Sequence, residues 1–223
     1  MKEAARLEAE IDGFRDMFRE YMEKAYNMLP RLEKPRILDL GCGTGFSTIE
    51  LARLSGGEIV GIDIDQPALE KAKKRVELEH LTDRVKVMNC SFKEIDFDDG
   101  SFDILWSEGS IQFIGFEKGL KEWKRLLKPC GFLVIHAAPY EVTLDVKRIK
   151  SLDYELFEQF DLPENIWWDD YYRPLDNFIR DLMDKLPEKG EIPPIMKKKR
   201  LEIEKVKKNP RHFKSAFYIL RKT

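Results

Sequence analysis

Nine residues, Ile37-Leu-Asp-Leu-Gly-Cys-Gly-Thr-Gly45, constrain this chain more than any other segment. A short apolar run meets glycines at 41, 43 and 45, and Phe46 to Leu54 then carries a helical pattern. Glycines allow positive φ and let the main chain approach a ligand closely. The helix that follows offers N–H groups with no partner inside the helix. A lone Gly-x-Gly would serve packing alone. Here the spacing is Gly-x-Gly-x-Gly, which puts Phe46 where a dinucleotide fingerprint needs its third Gly or Ala. A pyrophosphate-binding turn is thereby disfavoured.

The strand-turn-helix order recurs. Arg36 to Leu40 reads as the first strand, and Gly56-Gly57 stops the helix after it. Glu58 to Ile62 is the second strand, and Pro67 opens a helix that runs to about His80. Arg84 to Met88, Phe102 to Trp106 and Phe132 to His136 read as three more strands. Asp98-Asp99-Gly100 is a turn, and Phe116 to Leu127 a helix closed by the turn at Lys128-Pro-Cys-Gly131. Strands alternating with helices predict a parallel sheet covered on both faces. Upstream, Leu7, Ile11, Phe14, Phe18, Tyr21, Met22, Ala25 and Leu29 recur at helical steps, ending near Pro30. From Pro139 to Leu186 the pattern is helical and rich in aromatics. Leu201 to Val206 and, more weakly, Ala216 to Leu220 alternate apolar and polar residues, which predicts a closing antiparallel pair around Asn209-Pro210.

A carboxylate follows the second strand. Asp63 stands where it can accept two hydrogen bonds from a ribose diol. Asp65, just before Gln66-Pro67, suits a helix N-cap better. Three cysteines (42, 90, 130) and three histidines (80, 136, 212) lie far apart with no metal-ligand spacing, so neither a disulfide framework nor a metal is predicted. The net charge of -2 provides no general field for nucleic acid or anionic membrane, and Lys197-Lys198-Lys199-Arg200 reads as a solvated turn. The start of the chain is too charged for a signal peptide, and no apolar run nears the ~18 residues of a membrane span. A cytoplasmic protein is expected.

Ile37 to Gly45 resembles the first signature of class I S-adenosylmethionine-dependent methyltransferases, and Val60-Gly-Ile-Asp-Ile-Asp65 resembles their ribose-binding segment. Val87 to Phe97, Ser101 to Ile104 and Leu126 to Leu133 are similar to later parts of the same core. Trp106-Ser-Glu-Gly-Ser-Ile-Gln-Phe-Ile-Gly-Phe-Glu117, with an aromatic stretch after the fifth strand, is similar to a subgroup described as small-molecule methyltransferases. The resemblance implies an α/β, Rossmann-like sheet of seven strands in order 3-2-1-4-5-7-6. It implies one methyltransferase domain: residues 1–30 an N-terminal helix, 31–138 the cofactor-binding core, 139–190 a helical cap over the cleft, and 191–223 the closing antiparallel strands. Asp39, Gly41, Cys42 and Gly43 would line the methionine end of S-adenosylmethionine, largely through backbone atoms. Asp63 would hold the ribose and Ile64 would pack on the adenine. Cys90, Ser91 and Phe92 would meet the adenine edge. Cys90 stands where the family often has an Asp. Ser107 would complete the cofactor site.

The residues after the fourth strand would face the methyl group. Glu108 is then a candidate base or ammonium-binding carboxylate, with an exposed loop carboxylate or an ion-pair partner as the plainer alternative. Trp106, Tyr140, Trp168, Tyr171 and Tyr172 would form an acceptor pocket, an aromatic wall suited to an amine; the plainer alternative is a packing face. The function implied is methyl transfer to a small-molecule acceptor by in-line attack, leaving S-adenosylhomocysteine, with no nucleic-acid or membrane partner. The alternatives are a protein or RNA methyltransferase, or a non-catalytic cofactor binder.

Overall fold

The computed structural model describes residues 2–139, 142, 146–185, 192–208 and 214–223. Its framework is one seven-stranded sheet in the order β3-β2-β1-β4-β5-β7-β6. The strands are β1 (Arg36–Leu40), β2 (Glu58–Asp63), β3 (Val85–Asn89), β4 (Phe102–Glu108), β5 (Leu127–Ala137), β6 (Tyr154–Asp161) and β7 (Ala216–Lys222). The first five pair in parallel, whereas β7 runs antiparallel between β5 and β6. This is the expected Rossmann-like order. Leu38, Leu40, Ile62, Leu105 and Leu133 are fully buried, as near-continuous apolar strands of a two-sided parallel sheet must be.

The helices are α1 (Lys2–Gly13), α2 (Arg19–Asn27), α3 (Phe46–Ser55), α4 (Gln66–Leu78), α5 (Phe116–Trp123), α6 (Val146–Ser151), α7 (Arg173–Asp184) and α8 (Pro194–Lys208). Contacts divide the chain into two compact units. Tyr21–Asp161 with Ser215–Thr223 forms the sheet unit, and Met1–Glu20 with Leu162–Lys214 forms a helical unit. Within the helical unit Ile11, Phe18, Leu175, Ile179, Met196 and Ile203 are buried. Phe18 lies 4.5 Å from the Trp167 ring.

Four expectations are corrected. The single N-terminal helix is two helices, α1 and α2, joined by a 3-10 turn over Phe14–Phe18; Gly13, a poor helix former, ends the first. The Lys128–Gly131 turn does not precede the fifth strand but lies inside it. The register shifts there and Cys130 takes φ +60.

The predicted strand at Leu201–Val206 is helical, part of α8. Met196, Ile203 and Val206 are its buried residues, set at helical steps, while Leu201 is 68% exposed. Its Lys- and Glu-rich sequence favours helix, and the two-residue alternation was incidental.

The partner of β7 is instead Tyr154–Asp161, which lies in the stretch expected to be a helical cap. Phe157 is skipped by a bulge between Leu156 and Glu158. That extra residue spaces Tyr154, Leu156, Phe157 and Phe160 unevenly and hides the strand alternation. The boundaries expected at 139 and 190 move accordingly. The sheet unit runs to Asp161, and the helical unit extends to Lys214.

Among the described residues no helix is long and apolar enough to cross a membrane. The helical assignment of α8 has a direct test. Ile203→Ala is expected to cost about 2–5 kcal/mol in urea unfolding, and Leu201→Ala no more than about 0.5 kcal/mol. Equal losses would mean that both side chains share one buried strand face.

Candidate functional site

The carboxyl ends of β1, β2 and β4 bring the glycine-rich turn, Asp63 and Glu108 to one edge of the sheet. Gly41 has φ +83, and its N–H donates to the Ile62 carbonyl at 2.8 Å; the Cys42 N–H donates to the same oxygen at 3.0 Å. The Gly43 N–H donates to Asp63 Oδ2 at 2.9 Å, and the Asp65 N–H to Asp63 Oδ1 at 2.9 Å. The turn is thus tied to the end of β2 by backbone and carboxylate together. A Cβ placed on Gly41 would lie 2.7 Å from Ser110 Cβ, whereas one on Gly43 (φ +52) would meet nothing within 4 Å. The open side of the turn is therefore above Gly43.

Asp39 and Cys42 point away from that opening. Asp39 is buried, and its Oδ2 accepts from Ser47 Oγ at 2.8 Å and Thr48 Oγ1 at 2.6 Å, which pins the first turn of α3 to β1. The Cys42 side chain packs into the sheet side of the turn, against the place where Gly61 has no Cβ. Burial pushes the Cys42 thiol pKa up strongly, with Asp39 and Asp63 adding to the effect, so it stays protonated. Any cofactor contact from these two residues falls to their main chain, as the resemblance implied.

Asp65 caps α4 by accepting from the Ala68 N–H at 3.1 Å. Ile64 between the two aspartates is 71% exposed. The Cys90 N–H donates to the Asp63 carbonyl at 3.0 Å, so the loop after β3 is fastened to the end of β2. The Cys90 sulfur faces the Ser91 and Glu94 carbonyls at 3.5 and 3.6 Å, and Ser91 Oγ accepts from the Lys93 N–H. Phe92 is partly buried against Trp123, at 5.7 Å, and lies beside Gly41.

At the end of β4, Ser107 is fully buried and shares a 2.7 Å hydrogen bond with Ser110, whose hydroxyl donates to the Leu40 carbonyl at 2.6 Å. Ser107 thus braces β4 against β1 through Ser110. Trp106 is likewise fully buried; its indole N–H donates to Glu108 Oε1 at 2.6 Å, and its ring lies 6.0 Å from Phe217. The ring therefore does not line an acceptor pocket. The side chains of Glu108 and His136 are each only 7% exposed, and Glu108 Oε2 lies 3.5 Å from His136 Nδ1.

Residues 37–131 match a family model described as a methyltransferase domain. Over that stretch the chain is similar to methyltransferase domains. The methyltransferase GfsG of Streptomyces halstedii is 32% identical over 136 residues, 60% of this chain and 49% of that protein. The 27-O-demethylrifamycin SV methyltransferase of Amycolatopsis mediterranei is 27% identical over 137 residues, 58% of this chain and 50% of that protein. The chain thus spans about half the length of these curated relatives. A solved S-adenosylmethionine-dependent methyltransferase from Thiobacillus denitrificans, in complex with S-adenosylhomocysteine, has the same fold. Its TM-score is 0.70 at 20% identity, covering 92% of this chain and 91% of that one.

The carboxyl edge of the sheet carries Gly41, Gly43, Asp63, Ile64 and Glu108. Tyr171 and Tyr172 are buried, with ring centroids 4.7 Å apart, and Trp167 lies 5.9 Å from Tyr171. They form a packing cluster within the helical unit. Trp168 is half-buried, with Lys207 Nζ 5.9 Å from its ring, and Tyr140 lies outside the described residues.

Sequence reasoning missed Ser110 and His136. His136 carried a signal: it lies at the end of the fifth strand, which the predicted order sets beside the fourth. Gly41 and Gly43 of the glycine-rich turn are both testable. Alanine at either is expected to cost about 1–2 kcal/mol for its left-handed φ. Gly41→Ala adds roughly 1–3 kcal/mol for overlap with Ser110. Urea unfolding measures both, and equal losses would mean that Ser110 yields freely.

Proposed function

We propose that this chain transfers a methyl group from S-adenosylmethionine to a small-molecule acceptor and releases S-adenosylhomocysteine. The observation that carries this reading is the opening above Gly43, flanked by the Asp63 carboxylate and the exposed Ile64. These residues fit the cofactor. A carboxylate offers about four lone-pair sites. The Gly43 and Asp65 N–H groups take two at Asp63, which leaves two for a ribose diol. Ile64 supplies the apolar cover for an adenine face. The main chain of Gly41 and Gly43 receives the methionine end, where positive φ and the missing side chain allow close approach.

When bound, the cofactor supplies a methyl group already electrophilic through its sulfonium. The chain then has to bind, orient and exclude water. Positioning of that kind is worth ~7–11 kcal/mol of barrier. Glu108, at the end of β4, is the acceptor-side carboxylate, attracting a cationic or amine acceptor or taking a proton from one that arrives protonated. A small acceptor is favoured by the net charge of -2, which offers no basic field for RNA, and by the relative that acts on a rifamycin. The aromatic wall is left out of this reading, since Tyr171 and Tyr172 are consumed by packing in their own unit.

Calorimetry is expected to detect S-adenosylhomocysteine binding and no NAD binding; the reverse would sink the reading. Asp63→Ala removes a charge-assisted hydrogen bond of about 1.5–3 kcal/mol, so affinity is expected to fall roughly tenfold or more. Asp65→Ala is expected to leave affinity nearly unchanged while costing about 0.5–2 kcal/mol of stability as a lost cap. Formation of S-adenosylhomocysteine with a small-metabolite extract checks the acceptor class. Stimulation by protein or RNA fractions alone would replace it with a macromolecular one.

A further inference from the structure

One row of side chains crosses four strands on a single face of the sheet. Glu108 is the register partner of His136, His136 of Phe217, and Phe217 of Phe160. Register partners on neighbouring strands project to the same face. The His136 imidazole lies flat on the Phe217 ring, with centroids 4.4 Å apart and planes at 9°, and Phe217 stacks on Phe160 at 5.3 Å. Lys24 Nζ closes the row 4.0 Å from the Phe160 centroid. The imidazole plane is therefore fixed by packing. Each ring nitrogen has an oxygen near it: Nδ1 is 3.5 Å from Glu108 Oε2, and Nε2 is 2.9 Å from Ser215 Oγ. Turning the ring over would aim carbon at both oxygens.

We propose that His136 is a positioning residue for Glu108, presenting Nδ1–H to its carboxylate while Ser215 donates to Nε2. A carboxylate can only accept, whereas a serine hydroxyl can do either, so these two neighbours favour a proton on Nδ1. Glu108 is then held from two sides, by the Trp106 indole N–H on Oε1 and by His136 on Oε2. The Gly109 N–H, donating to the His136 carbonyl at 2.9 Å, fixes the backbone beyond it. The carboxylate is thereby kept in one orientation at the edge of the sheet. This inference rests on Glu108 being the acceptor-side carboxylate, and it adds what aims it.

The test is nitrogen NMR on protein labelled with 15N in its histidine rings, of which there are three, at 80, 136 and 212. His136→Phe, which keeps a ring on Phe217, identifies the His136 signals. At neutral pH the proton is expected on Nδ1. In Glu108→Gln the indole N–H still takes the amide oxygen, so the amide NH2 faces Nδ1 and the proton is expected to move to Nε2. A wild-type proton on Nε2, or a spectrum unchanged by Glu108→Gln, would overturn the proposal. Turnover is measured alongside. His136→Phe is expected to lower acceptor-dependent kcat at least tenfold at unchanged S-adenosylhomocysteine affinity. His136→Asn, whose amide N–H takes the place of Nδ1–H, is expected to restore part of it. Failure of that rescue would also count against positioning. If the protonation pattern holds but Glu108→Gln leaves turnover intact, the acceptor role of Glu108 fails while the pairing stands.

Discussion

The hydrogen bonds that fasten the glycine-rich turn to the end of β2 govern the geometry of the whole site. Two run from Gly41 and Cys42 to one carbonyl, that of Ile62, and a third from Gly43 to the Asp63 carboxylate. They exist only because the turn passes close over a neighbouring strand, and that approach needs a residue without Cβ at Gly41, where Ser110 stands behind it, and at Gly61, where Cys42 does. On the other side of β1, Asp39 anchors Ser47 and Thr48 and so fixes where α3 begins. The turn is a brace, and the Asp63 carboxylate is part of it.

That constraint explains which parts of the candidate site were readable beforehand. Gly41, Gly43 and Asp63 declare themselves because conformational permission and charge are properties of the residue type. Ser107 and Trp106 were placed in the site by their position after the fourth strand. Strand residues alternate between faces, however, and which face is buried depends on what packs there. Ser107 turned out to be spent on Ser110, and Trp106 on Glu108. His136 was invisible as a partner because its significance is a register pairing with Glu108, a relation between residues 28 positions apart.

The fold was readable where periodicity was clean. The five parallel strands and the helices between them follow from it directly. The closing strands did not, since one bulge at Phe157 made Tyr154–Asp161 look helical, while Leu201–Val206 within α8 happened to alternate. The aromatic segment was ambiguous for another reason. Rings at helical spacing satisfy a packing role and a binding role equally well, and Tyr171 and Tyr172 serve the first.

The position of β7 has a consequence for the order in which the sheet is made. It lies between β5 and β6, yet its residues follow both in the chain by more than fifty positions. Until residues 216–222 leave the ribosome, β5 has an open edge and β6 has no strand to pair with. The nascent chain therefore carries an unpaired edge through the synthesis of the helical unit, a state open to wrong strand pairing. Phe217, stacked against Phe160 and His136, thus arrives after both of them, and the orientation of the imidazole at β5 waits on it.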